Sequence, residues 1–176
     1  MFVFSQLKLQ DSPKTHITKA LASERIGLRG KVISMVNRSL DEFPELLNRR
    51  ITIGLTRAYE GSAELGSSVI RLNPKNLSFF TVGHELTHLL QGDGIPFGEK
   101  ACDIYTIARS SLFLDTPPGY LRIGRNAERS WKDYSNSVQE LCRRAIEYRQ
   151  SHRRYIMWLE ANLVSLGKHR ASKLPT

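Results

Sequence analysis

Cysteine is scarce in this chain: only Cys102 and Cys142 occur in 176 residues, each inside an apolar helical pattern. Small domains that cannot build a core lean on disulfides, and two isolated thiols exclude such a scaffold. The expectation is a pair of buried free thiols in a reducing compartment, hence a cytoplasmic protein. Long apolar runs are missing too, and none approaches the roughly 18 residues of a membrane span. The opening Met1-Phe2-Val3-Phe4 is broken by Ser5, Gln6 and Lys8, which is too short for a signal peptide. Gln6-Leu7-Lys8-Leu9-Gln10 then alternates polar and apolar, as a half-buried strand does. There is no internal repeat and no low-complexity stretch.

Acidic residues are in deficit, 17 against 26 Lys and Arg, for a net charge of +9. The deficit is local. Residues 1–121 hold 14 basic and 12 acidic side chains, whereas residues 122–176 hold 12 and 5. A basic third fits an anionic partner such as nucleic acid, and it equally fits a solvated helix face. Hydrophobic residues at 40% and charged residues at 24% are ordinary for a globular chain of one domain, with or without an appendage.

Ser12-Pro13 reads as a cap with proline in the first helical turn, followed by apolar Ile17, Leu21 and Ile26. Gly27 and Gly30 loosen that pattern before a second helix carrying Val32, Ile33, Val36 and Leu40. Residues 50–55 and 68–72 are rich in β-branched side chains and read as strands, joined by a loop with Gly61 and Gly66. A helix follows over 78–91, capped by Asn76 or Ser78 and stopped by Gly92. Its Phe79, Val82, Leu86, Leu89 and Leu90 share one side, and His84, Glu85 and His88 the other. Gly83, costly inside a helix, predicts another backbone passing close. A further helix is expected from Glu99 to about Phe113. From 127 to 166 Trp131, Tyr134, Val138, Leu141, Ala145, Tyr148, Tyr155 and Leu159 form a seam, read as one long helix or two packed on the core, or as a dimer contact. The tail from 167 to 176 reads as flexible.

The chemistry lies in Gly83-His84-Glu85-Leu86-Thr87-His88. Two histidines four apart on a helix point their rings the same way, so both can reach one ion. The glutamate stands beside them without competing for the ion, placed to take a proton from a water that the metal has made acidic. Zinc suits neutral imidazoles and an open position, and it needs a third protein ligand. Asp93, Glu99, Asp103 and Asp115 are the acidic candidates, and Asp93 sits too near in the turn. Glu99 and Asp103 are four apart and share a helix face. One of them would bind zinc while the other orients a histidine through its far ring nitrogen, with Glu99 the favoured ligand.

His84-Glu85-Leu86-Thr87-His88 followed by Glu99-Lys100-Ala101-Cys102-Asp103 resembles the H-E-x-x-H plus E-x-x-x-D signature of the gluzincin metallopeptidases. The short chain and the strand pair before the helix look most like the minigluzincins, over about residues 51–113. The resemblance implies His84, His88 and Glu99 as metal ligands, Glu85 as general base, and Asp103 as the partner of a ligand histidine. It also implies an edge strand, 69–72, that takes an extended peptide by strand addition. Tyr105, Arg109, Tyr120 and His152 are the candidates for steadying a developing oxyanion, with no motif to choose among them.

The expected fold is α+β: a small zincin-like domain over 1–121 with a short sheet, an H-E-x-x-H helix and a glutamate helix. A basic helical extension over 122–166 would pack on it or form a dimer seam. The expected function is a Zn2+-dependent peptidase acting on peptides or unfolded protein, in an active form or a latent one whose own chain covers the cleft. The alternative is a metal-stabilised, non-enzymatic domain whose basic helices bind nucleic acid or an acidic partner. A purely structural zinc site favours four protein ligands and no base nearby, so Glu85 favours the enzyme. No membrane partner is expected.

Overall fold

A computed structural model of the chain describes residues 15–166. Among these residues seven α-helices accompany one four-stranded sheet, a mixed α+β architecture. The sheet contains β1 (Thr15–Ile17), β2 (Ile51–Leu55), β3 (Gly61–Glu64) and β4 (Val69–Leu72), ordered β1-β2-β4-β3. β1, β2 and β4 run parallel, while β3 pairs antiparallel with β4. Ile51, Ile53, Ile70 and Leu72 are fully buried along the two central strands, as β-branched and branched side chains on a pleated, half-buried surface should be.

Three local expectations fail here. Residues 15–17 pair in parallel beside β2 as a strand rather than starting a helix, with Thr15 opposite Ile51 and Ile17 opposite Ile53. The helix α1 (Lys19–Ala22) begins only after that, capped by Thr18, whose side chain accepts from the Leu21 amide. The segment around Gly61 is a strand and not a loop, although Gly-Ser-Ala-Glu carries no β-forming side chain; its ladder with β4 supplies what propensity does not. Among the described residues β3 is therefore an edge strand, and residues 69–72, expected at the edge, lie between β2 and β3. The segment before residue 15, where a first strand and a proline-led helix start were expected, and the tail after 166 lie outside the described residues.

α2 (Ile26–Leu40) runs unbroken through Gly27 and Gly30. Val32, Val36 and Leu40, spaced four apart, are buried on one stripe, and α2 packs on α3. That burial outweighs a cost of about 1 kcal/mol per helical glycine. α3 (Phe79–His88) and α4 (Glu99–Arg109) lie side by side between two apolar clusters. The first joins the sheet and α2 to Val82, Leu86 and Phe113. The second joins Phe80, Ile104 and Ile107 to Val138, Cys142 and Leu159.

After the short α5 (Arg125–Arg129), Val138 and Cys142 belong to α6 (Trp131–Arg149) and Leu159 to α7 (Tyr155–Ser165). The apolar seam read as continuous is thus broken at 150–154, where the chain turns so that α7 folds back on α6. Trp131, Val138, Ala145 and Leu159 of that seam are buried against α4 and one another. Among the described residues no helix is long and apolar enough to cross a membrane.

Candidate metal centre

α3 starts with a dense cap. Ser78 Oγ accepts from the Thr81 amide at 2.9 Å, and the Asp115 carboxylate accepts from Phe79 N at 2.6 Å and Phe80 N at 2.9 Å. Three otherwise orphaned helix donors are satisfied this way. Asp115 is thereby engaged as a cap, and Asp93 pairs with Arg49 at 2.6 Å, so two of the four acidic ligand candidates are occupied elsewhere. Gly83 in mid-helix has a packing reason. A Cβ there would lie 2.7 Å from the Phe113 ring and 2.9 Å from Thr106 Cγ2, so side chains, not the expected backbone, press against it.

One turn apart on α3, His84 and His88 bring their Nε2 atoms to 3.1 Å. Glu99, first residue of α4, places Oε2 at 2.9 Å from His84 Nε2 and 3.1 Å from His88 Nε2. The far ring nitrogens are both engaged. His84 Nδ1 lies 2.9 Å from Asp103 Oδ1, and a carboxylate partner makes that nitrogen the donor. His88 Nδ1 lies 2.8 Å from Gln91 Oε1, and the Gln91 amide is oriented because its Nε2 donates to the carbonyls of Pro96 at 2.8 Å and Gly98 at 3.2 Å. With both rings neutral, each turns an Nε2 lone pair towards the same carboxylate oxygen, and either a proton on His84 or a cation among the three atoms reconciles them.

Cys102 stands at the other edge of His88, its Sγ 3.2 Å from Nδ1. His84, His88 and Cys102 together form a cluster, with ligand atoms within 4.8 Å of one another, that could hold a metal ion. Burial pushes the Cys102 thiol well up, reinforced by the charges of Glu99, Asp103 and Glu85, so without an ion it is a neutral thiol.

Asp103 is fully buried and does more than orient one ring. Its Oδ2 accepts from the amides of Tyr120 at 2.7 Å and Leu121 at 3.0 Å, tying the loop after Pro117-Pro118 to α4. Tyr120 consequently stacks on His84, ring centroids 5.6 Å apart and 23° between planes. Burial works against charge on His84, yet the hydrogen bond and charge of Asp103, with Glu85 and Glu99, raise its pKa.

Glu85 is 6% exposed, and its Oε2 has no hydrogen-bond partner. Burial raises its pKa from 4.5 to about 7, with His84 opposing and Glu99 reinforcing the rise. An isolated carboxyl with a free oxygen and a near-neutral pKa is the condition of a general base or acid. It opens on a cleft of about 1080 Å³ bounded by β3, the start of α3 and the Tyr120 loop. No residue between 122 and 166 lines that cleft.

The four oxyanion candidates separate. Tyr105 Oη accepts from Arg149, Arg109 is held by Glu45 and the Glu42 carbonyl, and His152 stacks on Tyr148. Tyr120 alone of them lines the cleft. Two participants escaped the sequence reading: Gln91, whose only signal is its place three residues beyond His88 on the same face, and the bond from Asp103 to the Tyr120 loop, which left no signal at all. Comparison of the chain with protein-family models, curated proteins and solved structures gives no match, so the site's chemistry must be read from its own geometry.

Proposed function

We propose that the chain is a zinc-dependent peptidase of the gluzincin type. The observation that carries this reading is the meeting of His84 Nε2, His88 Nε2 and Glu99 Oε2 within 3.1 Å, beside Glu85, a buried carboxyl that lines a cleft and has one oxygen without a hydrogen-bond partner. His84, His88 and Glu99 would hold the ion. Glu99 is preferred to Cys102 because its oxygen touches both Nε2 atoms, whereas the thiol touches a nitrogen already committed to Gln91. Two imidazoles and one carboxylate leave a position open, as catalytic zinc requires. The ion, when bound, would polarise a carbonyl and acidify a water.

The remaining chemistry belongs to the chain. Asp103 and Gln91 fix the tautomers of His84 and His88, keeping both Nε2 lone pairs available. Glu85 takes the proton of the attacking water as its oxygen adds to the carbonyl carbon, and returns it to the amine that leaves. An extended peptide would lie along β3, pairing with its outer edge, which sets the scissile bond over Glu85. Unfolded segments and peptides can adopt that form; packed domains cannot.

Glu85→Gln is the decisive variant. Its zinc content should match the wild type and its melt should stay cooperative, while peptide cleavage falls by roughly 10²–10⁴-fold or more. Equal cleavage by the variant would remove Glu85 from the mechanism. Fully zinc-loaded wild type that cuts no peptide or casein would favour the metal-stabilised binding domain instead.

A further inference from the structure

The turn from α6 into α7 gathers cations. Residues 143–158 hold five arginines and a single acid, Glu147, against 26 Lys and Arg in all 176 residues. Two of the five are tied inward: Arg143 Nε donates to the Ala108 carbonyl, and Arg149 donates to the Gly94 carbonyl and the Tyr105 hydroxyl. Arg144, Arg153 and Arg154 are exposed. Exposed charge by itself says only that a face is solvated.

What sets this corner apart is the stack of rings it carries. His152 lies on Tyr148 with centroids 3.8 Å apart and 3° between planes, and Tyr148 on Trp158 at 4.9 Å and 25°. Arg144 stands over the Trp158 ring, 5.8 Å from its centroid. His152 Nδ1 lies 2.8 Å from Ser151 Oγ and 3.3 Å from the Tyr148 carbonyl, which holds the imidazole parallel to the phenol although the residue is exposed. Core packing accounts for Tyr148 and Trp158, which border the second apolar cluster. It does not account for His152, which belongs to neither cluster. The stack thus ends in solvent on a flat, fixed ring, with guanidinium groups next to it in the chain and, through Arg144, at the Trp158 end.

From this juxtaposition we infer that the corner between α6 and α7 is a docking surface for single-stranded nucleic acid. His152 is the platform on which a base stacks, and Arg144, Arg153 and Arg154 meet the phosphates. An aromatic face accepts any base, and a single strand offers bases that can be splayed out, whereas a duplex keeps them stacked on one another. The planar fork of arginine fits phosphate oxygens. An acidic protein would complement the charge and leave the fixed ring without a use. A membrane surface takes up apolar side chains, and Met157 is the one large apolar residue strongly exposed between 122 and 166. No residue of this corner lines the cleft, so the inference stands whether or not the chain cuts peptides.

The test reads the anisotropy of a fluorescent oligothymidylate with full-length protein over a range of salt. Wild type should bind, and the logarithm of its affinity should fall against that of salt with a slope of about −2, as three phosphate contacts to a single strand imply. His152→Ala should weaken binding about tenfold and leave the slope unchanged, because a stacked base releases no counterion. His152→Phe should restore the affinity. Arg153→Gln combined with Arg154→Gln should instead flatten the slope to about −0.7. All three positions are exposed, so the melting curves should not move. An oligouridylate of equal length shows whether RNA or DNA is preferred. Absence of binding at low salt, affinity that survives both sets of substitutions, or a loss that His152→Phe does not restore overturns the inference. So does a duplex held as tightly as the single strand, or polyglutamate competing on equal terms with oligothymidylate, since either result means that the surface reads charge alone.

Discussion

Gly61 and Glu85 touch so closely that a Cβ on Gly61 would sit 2.5 Å from Glu85 Oε1 and 2.7 Å from its Cγ. The edge strand thus passes directly over the carboxyl, and only the absence of a side chain at position 61 permits it. Gly61→Ala should displace either Glu85 or β3, at a stability cost of about 1–3 kcal/mol for overpacking. Peptide cleavage should fall by about 100-fold, the scale set by misplacing a reacting group by roughly 1 Å, while zinc content stays at the wild-type level because neither histidine is disturbed. Wild-type cleavage by Gly61→Ala would show that the contact does not position the base.

The raised pKa of Glu85 makes the stability of the metal-free chain depend on pH. The folded protein holds a proton on Glu85 up to about pH 7, while the unfolded chain releases it near 4.5. That stabilisation is complete below about 4.5 and is lost as pH rises to about 7, a change of about 3 kcal/mol. His84, also raised, adds a loss of the same sign above its ordinary value near 6.5. Urea melts of chelator-treated protein between pH 4.5 and 8 should fall steadily. Glu85→Gln should remove the lower part of the fall and keep the part due to His84; a flat wild-type profile would contradict the buried, isolated carboxyl.

Glu99 and Asp103 should separate by two measurements. The Glu99 side chain is 46% exposed, so Glu99→Gln should leave the fold intact and weaken zinc binding by more than the 10–100-fold typical of an outer partner. Asp103 accepts three hydrogen bonds in full burial. Asp103→Ala should weaken zinc less and lower the melting temperature more, since buried donors left unpaired cost about 1–3 kcal/mol each. Competition titration with a zinc dye, beside thermal melts, reads both. The reverse order of affinities would exchange the two roles.

The helices after residue 121 should be needed for folding. Ile104 and Ile107 of α4 are fully buried in a cluster shared with Val138, Cys142 and Leu159, and Lys100, next to Glu99, meets Glu160 of α7 at 2.6 Å. Each large side chain uncovered forfeits about 1.5–3 kcal/mol. A chain ending at Leu121 should therefore be aggregated or molten, without a cooperative melt, and Leu159→Ala in the full chain should cost about 2–5 kcal/mol. A monomeric, cooperatively melting 1–121 fragment would show that the helices are an appendage.

Much of the site was legible in the sequence because its geometry is local. The spacing of His84 and His88 follows from the helical repeat alone, and Ser78 announced the helix start by residue type. The four-residue step from Glu99 to Asp103 likewise put two carboxyls on one face of the next helix, and the β-branched runs gave away β2 and β4. None of this needs a long-range contact.

What the tertiary structure decided lies wherever two distant segments meet. That Gly61–Glu64 is a strand, at an edge of the described sheet, depends on its ladder with β4, since Gly-Ser-Ala-Glu has no propensity to declare it. That Asp115 caps α3 while Glu99 meets the histidines is a choice among chemically similar carboxyls, made by the turn between α3 and α4 and by the loop after Phe113. Glu85's near-neutral pKa comes from burial under Gly61, twenty-four residues away in the chain. The sequence by itself determined which residue types could do chemistry and on which helix faces they stand, because the helical repeat is a property of the backbone. Packing alone decided which of them share one cavity, because burial and desolvation exist only once separate segments close around a group.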